Sequence, residues 1–156
     1  MTDKPYRFSP IQGKDQLIEA VQYVAMQTSK LVEKIIGKVL PITYLTIFSH
    51  SQPEYETLVK ILATMGTPYS ANNGLRATLS TPIVAGKNSI NHLRIRKPDP
   101  ERPQVGCNDF GVDYESFKNQ YLAAHPENLR LIKRPEYEMI EFFDPSFDVL
   151  AYVVSS

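Results

Sequence analysis

At 156 residues, with 42% hydrophobic and 22% charged side chains, the chain is long enough for one well-buried core and too short for two ordinary domains. Seventeen basic residues balance seventeen acidic ones, so no overall field recruits nucleic acid or an anionic membrane, and no apolar run is long enough to span a bilayer. The opening Met1-Thr2-Asp3-Lys4-Pro5 lacks the apolar core of a secretory leader, and the lone Cys107 has no partner for an internal disulfide, so the expectation is a cytoplasmic protein with neither a nucleic-acid nor a membrane partner.

Residues 1 to 13, with two prolines, a glycine and little periodicity, read as an irregular lead-in that carries little chemistry. From Lys14 to Ile36, Leu17, Ile18, Val21, Val24, Ala25, Leu31, Val32, Ile35 and Ile36 form one helical stripe, closed by Gly37 and by Pro41 shortly after. This long amphipathic helix must bury its stripe against its own sheet, the favoured reading, or against a second chain.

Ile42 to Phe48 is β-branched and aromatic, and alternation puts Thr43, Leu45 and Ile47 on one face and Tyr44, Thr46 and Phe48 on the other. Ser51-Gln52-Pro53-Glu54 is a capping-box sequence, and Tyr55, Leu58, Val59, Leu62 and Met65 give a second helical stripe that Gly66 ends. A turn at Ala71-Asn72-Asn73-Gly74 leads to strands at 75–79 and 90–95, separated by a loop containing Pro82 and Gly86. Pro98, Pro100 and Pro103 make the next stretch a stiff connector, because they remove backbone donors and fix the backbone. Beyond it the order repeats: a strand at 105–112, a helix from Tyr114 to Ala124 capped by Asp113, and strands at 128–133, 138–143 and 149–154.

Two tandem units of this kind, with Gly106-Cys107-Asn108-Asp109-Phe110-Gly111-Val112-Asp113 opening the second and Phe142-Phe143-Asp144-Pro145-Ser146-Phe147-Asp148-Val149-Leu150-Ala151 closing it, resemble the vicinal-oxygen-chelate family of glyoxalase I, extradiol dioxygenases and bleomycin-resistance proteins. The resemblance implies an α+β fold: two βαβββ-like units, at about 42–97 and 105–154, form a curved mixed sheet, a cup, within a single domain over 42–156 preceded by the extra N-terminal helix at 14–37. Active members hold a metal in that cup with residues from the first and last strands of each unit. Carried over, those positions fall on Tyr44 or Thr46, within Asn91-His92-Leu93-Arg94, on Cys107 and on Ala151, where the family's closing motif writes a glutamate. Only His92 is a conventional ligand, and a catalytic divalent ion needs at least three protein ligands and an open position. No metal or other cofactor is therefore expected; the alternative is one divalent ion on His92, Cys107 and Glu141.

The strand face of Tyr44, Thr46 and Phe48 offers an aromatic wall with hydroxyls, and His92 and Arg94 share a face able to grip a carboxylate or phosphate. The blander readings stand beside these: a filled barrel interior, a solvated strand surface, a satisfied strand histidine and an inert buried thiol. Glu138 and Glu141 differ by an odd number, so a straight strand puts them on opposite faces and they make a poor acid–base pair. His50 and His125 sit at helix ends, where a loop or capping role is the simpler explanation. The sequence thus points to a metal-free binder of a small anionic or aromatic molecule through Tyr44, Thr46, Phe48, His92 and Arg94, more a binding protein than an enzyme, with a homodimer expected because the family commonly dimerises. The alternatives are a metal-dependent lyase, isomerase or dioxygenase on the same fold, and a structural or protein-interaction module.

Overall fold

A computed structural model describes residues 6–71 and 74–155. Met1–Pro5, Asn72-Asn73 in the middle of the expected turn, and Ser156 lie outside the described residues. Helix α1 spans Lys14–Ile36 and is followed by strand β1 (Ile42–Phe48), helix α2 (Gln52–Met65), and strands β2 (Gly66–Ser70), β3 (Leu75–Ala85) and β4 (Asn88–Arg96). The second half runs β5 (Gly106–Phe110), a single turn α3 (Tyr114–Phe117) continued as a π-helical stretch over Lys118–Leu122, then β6 (Leu129–Lys133), β7 (Glu138–Phe142) and β8 (Val149–Val154). The strands form one 8-stranded mixed sheet in the order β2-β3-β4-β1-β5-β8-β7-β6. Each half carries its first strand parallel to its last, β1 to β4 and β5 to β8, and the halves meet where β1 and β5 pair antiparallel. The architecture is α+β, an N-terminal helix followed by a curved sheet.

Helices lie on one side of this sheet. Leu17, Val21, Val24, Leu31 and Val32 of α1 are buried, as its stripe requires, and the helix ends where Gly37, in the left-handed region at φ 70°, donates its N–H to Glu33 O at 2.8 Å. The N-terminal half of α1 packs with α2 over Leu45, Ile47, Leu93 and Ile95, and its C-terminal half packs over Phe110, Ile140, Phe142 and Val153, so one helix covers both halves of the chain. No helix among the described residues is long and apolar enough to cross a membrane.

Several local expectations change. Residues 6–13 are irregular but docked: Ile11 and Ser9 are buried, Arg7 and Tyr23 both donate to Asp148, and Ile11 N–H donates to Glu54 Oε2 at 2.7 Å. Glu54 completes only half a capping box, because Ser51 Oγ accepts from Glu54 N while the Glu54 carboxylate turns upstream to Ile11 N, His50 N and Ser9 Oγ. His50 is held there, with Nδ1 2.6 Å from Ser9 Oγ and Nε2 2.9 Å from Gln104 O. Gly66 ends α2 as its position in the sequence predicts, but with an extended backbone, so that the chain passes directly into β2. A Cβ there would clash with the Thr78 carbonyl oxygen, so the glycine serves close strand approach. Pro68 is tolerated because β2 is an edge strand, and the loop expected around Pro82 is a bulged continuation of β3, whose register with β4 shifts between Thr78 and Ile83.

Candidate functional site: an arginine-lined cup

The face of the sheet opposite the helices is set by the ladder. Thr46 of β1 lies beside Arg94 of β4 and Cys107 of β5, Arg94 lies beside Arg76 of β3, Phe48 beside Arg96, and Asp109 between Tyr44 and Tyr152. Alternation brings these side chains to one side, leaving Leu45, Ile47, Leu93 and Ile95 against the helices. Two adjoining hollows open on this side. The larger, about 400 Å³, is lined by Arg76, Arg94, Arg96, Arg102 and Arg134 together with Phe48, Cys107, Asp109, Tyr137 and Tyr152. The smaller, about 30 Å³, has Tyr44, Thr46, Tyr69 and His92 around it and shares Arg76, Arg94 and Asp109 with the first. The floor of the larger hollow is apolar, made by Phe48, Cys107 and Tyr152 packed with Met139 and Leu150.

Five guanidinium groups therefore surround one hollow, with Asp109 the one carboxylate among its lining residues. Their bonds within the chain are few. Arg94 Nε donates to Thr46 Oγ1 at 3.2 Å and Arg102 Nη1 to Tyr152 Oη at 3.2 Å. Arg96 and Arg102 approach the same Asp99 carboxylate at 3.8 and 3.7 Å, and Arg96 also lies over the Phe48 ring. Arg76 Nε and Arg96 Nε are sealed from solvent with no hydrogen-bond partner in the chain. A buried donor without an acceptor is costly, roughly 1–3 kcal/mol, and the five guanidiniums that line the hollow offer an anion several forked donors at once.

Burial moves the titrating groups here. It lowers the pKa of Arg94, and it raises that of Asp109 against the opposing pull of Arg94 and Arg76. Cys107 is pushed up to about 11, by burial first and then by Asp109, so at neutral pH it is a neutral thiol rather than a thiolate ligand or nucleophile. Burial likewise raises the Tyr152 phenol.

The five sequence-derived candidates all reach this face: Tyr44, Thr46, His92 and Arg94 at the smaller hollow, and Phe48 with Arg94 at the larger. The alternative metal set is not brought together. His92 and Cys107 line different hollows, and Glu141 lines neither, sitting 3.9 Å from Arg130. Among the described residues no three His, Cys, Asp or Glu side chains converge. Ala151, counted from the closing motif as a ligand position, is a correction of another kind: it pairs with Asn108 and is fully buried with Phe142 and Val153 on the helix side, while Leu150 and Tyr152 face the cup. Glu138 and Glu141 do lie on opposite faces, Glu138 accepting from Tyr114 and Lys118 at 2.7 Å each.

Sequence reasoning missed Arg76, Arg102, Arg134, Asp109 and Tyr152 as lining residues. Alternation on β3 and register with β4 place Arg76, but Arg102 comes from the proline connector and Arg134 from a turn, where no periodicity marks a direction. No family model and no curated protein matches the chain. A solved structure titled "Structural Genomics, Protein EC4020" aligns with TM-score 0.65 over 94% of this chain and 93% of its own, at 13% identity, a likeness of fold alone.

Proposed function

We propose that the protein binds a small polyanionic molecule in the arginine-lined cup without a metal ion, on a divergent vicinal-oxygen-chelate scaffold. The observation that carries this is the ratio of five guanidiniums to one carboxylate around a hollow with an apolar floor, two of the guanidiniums holding buried, unpartnered Nε donors. Guanidinium offers forked donors to phosphate and carboxylate, and a partly desolvated setting strengthens each contact over its value in water. The strand order supports the scaffold reading, since each half closes with its first strand beside its last. The polar groups that would do chemistry are poorly poised: Cys107 is protonated at neutral pH, and Asp109 is the one acid among the residues lining the two hollows.

The test is thermal unfolding against pyrophosphate, citrate and a neutral sugar, with and without chelator. A ligand that binds only the folded state at about 100 times its Kd stabilises by about 2.7 kcal/mol, so the melting temperature rises with pyrophosphate or citrate and not with the sugar. The rise survives chelator and disappears in Arg94→Gln/Arg96→Gln. No rise with any anion, or a rise that chelator abolishes, overturns the proposal.

A further inference from the structure

The cup has a second part that an inorganic anion does not use. Tyr44 and Tyr69 stand at the smaller hollow, each residue about half exposed, at 46% and 51%, and both lie against His92: Tyr44 at 5.3 Å between centroids and tilted, Tyr69 at 6.1 Å and edge-on. Exposed aromatic faces beside a set of guanidiniums form a platform for a flat, electron-rich ring. At about 30 Å³ the hollow between them is too small for a ring and has room for one or two water-sized groups. A ring bound here would therefore lie across the mouth of the hollow, on Tyr44 and Tyr69, with only a substituent entering. What it meets inside is Asp109, which lines both hollows, with Thr46 Oγ1 already engaged by Arg94.

Resting on the anion reading above, we infer that the natural ligand is bipartite: a planar aromatic or heteroaromatic ring, bearing a hydroxyl or amino donor, joined to a phosphate or to a pair of carboxylates. The anionic head sits on Arg76, Arg94 and Arg96, the ring spans Tyr44 and Tyr69, and the donor substituent reaches Asp109. Arg76 and Arg94 belong to both hollows, so head and ring are close neighbours in the molecule rather than separated by a long spacer.

Calorimetric titration of matched pairs tests this: phenyl phosphate against methyl phosphate, and benzene-1,2-dicarboxylate against butanedioate. Within the pair whose head is correct, the aromatic member binds tighter by roughly fivefold, from the worth of an aromatic pair beyond area burial. 4-Aminophenyl phosphate, or the corresponding amino-substituted dicarboxylate, binds tighter again. Tyr44→Ala and Tyr69→Ala each shrink the aromatic preference while methyl phosphate or butanedioate binds as before. Arg96→Gln weakens both members of a pair alike. Equal affinity within both pairs, or a ring preference that survives both tyrosine variants, overturns the bipartite ligand while leaving the anion site standing. Failure of all four compounds to bind where pyrophosphate still does overturns this inference alone, and failure of pyrophosphate as well overturns the anion reading with it.

Discussion

Asp109 is the acid in the arginine cup, and its carboxyl is raised by burial although Arg94 and Arg76 pull it down. The sign follows from linkage. A group whose folded pKa is raised is penalised in its ionised form: the penalty is absent below the ordinary carboxyl value of 3.8 and grows as pH rises through the folded value. An anion on Arg94 and Arg76 removes the field that opposes the rise, so binding draws a proton onto Asp109 and weakens as pH increases. Sulfate is the suitable probe because its own charge is fixed between about pH 4 and pH 8. Asp109→Asn is expected to bind sulfate more tightly at neutral pH, by roughly three- to tenfold for one charge removed at partly screened distance, with a flatter pH profile. Calorimetry decides; weaker binding by the variant would mean that Asp109 is protonated in the complex and donates its O–H to the anion.

At the scale of elements, the polar join between α1 and β5 is the one most open to a quantitative check. Asn108 is fully buried beneath α1 and its Nδ2 donates to Thr28 Oγ1, which in turn donates to Val24 O at 2.6 Å inside the helix. Asn108 Oδ1 has no partner. Thr28→Val strands the Asn108 amide and is expected to cost about 1–3 kcal/mol. Asn108→Leu alone leaves Thr28 with its helix carbonyl and costs less, and the double variant recovers part of the Thr28→Val loss because no donor is then left unmet. Urea unfolding of the four proteins measures the coupling, and strictly additive losses would refute it.

The same scale shows what was legible in the sequence. The bounds of α1 and the two faces of β1 follow from periodicity, because a fully buried stripe and an alternating strand leave unambiguous patterns. β2 is hidden because Gly66 reads only as the end of a helix and Pro68 argues against a strand, which its edge position alone makes acceptable. Counting through the Asp144-Pro145 turn from the closing motif puts Ala151 in the cup. The face of β8 is instead set by pairing Asn108 with Ala151, and a one-residue offset exchanges its two sides. The site was half legible: Tyr44, Thr46, Phe48, His92 and Arg94 lie on regular strands, whereas Arg102 and Arg134 enter from segments whose direction only tertiary packing decides.

For the molecule as a whole, the halves meet at the antiparallel ladder from Ile42↔Phe110 to Ile47↔Gly106, and α1 packs across the join. The covalent link between them is the proline connector, exposed at Pro100 and Glu101. The ladder and the helix do not depend on that link, so a chain opened between Pro100 and Glu101 is expected to persist as two complementary fragments. Their association becomes concentration-dependent once the high effective concentration supplied by the connector is gone. Arg76, Arg94 and Arg96 would then travel on one fragment and Arg102 and Arg134 on the other. Anion binding ceases to be only occupancy of a pocket and becomes glue between two polypeptides: pyrophosphate should tighten reassembly in sedimentation or light scattering, in proportion to how firmly both fragments hold it.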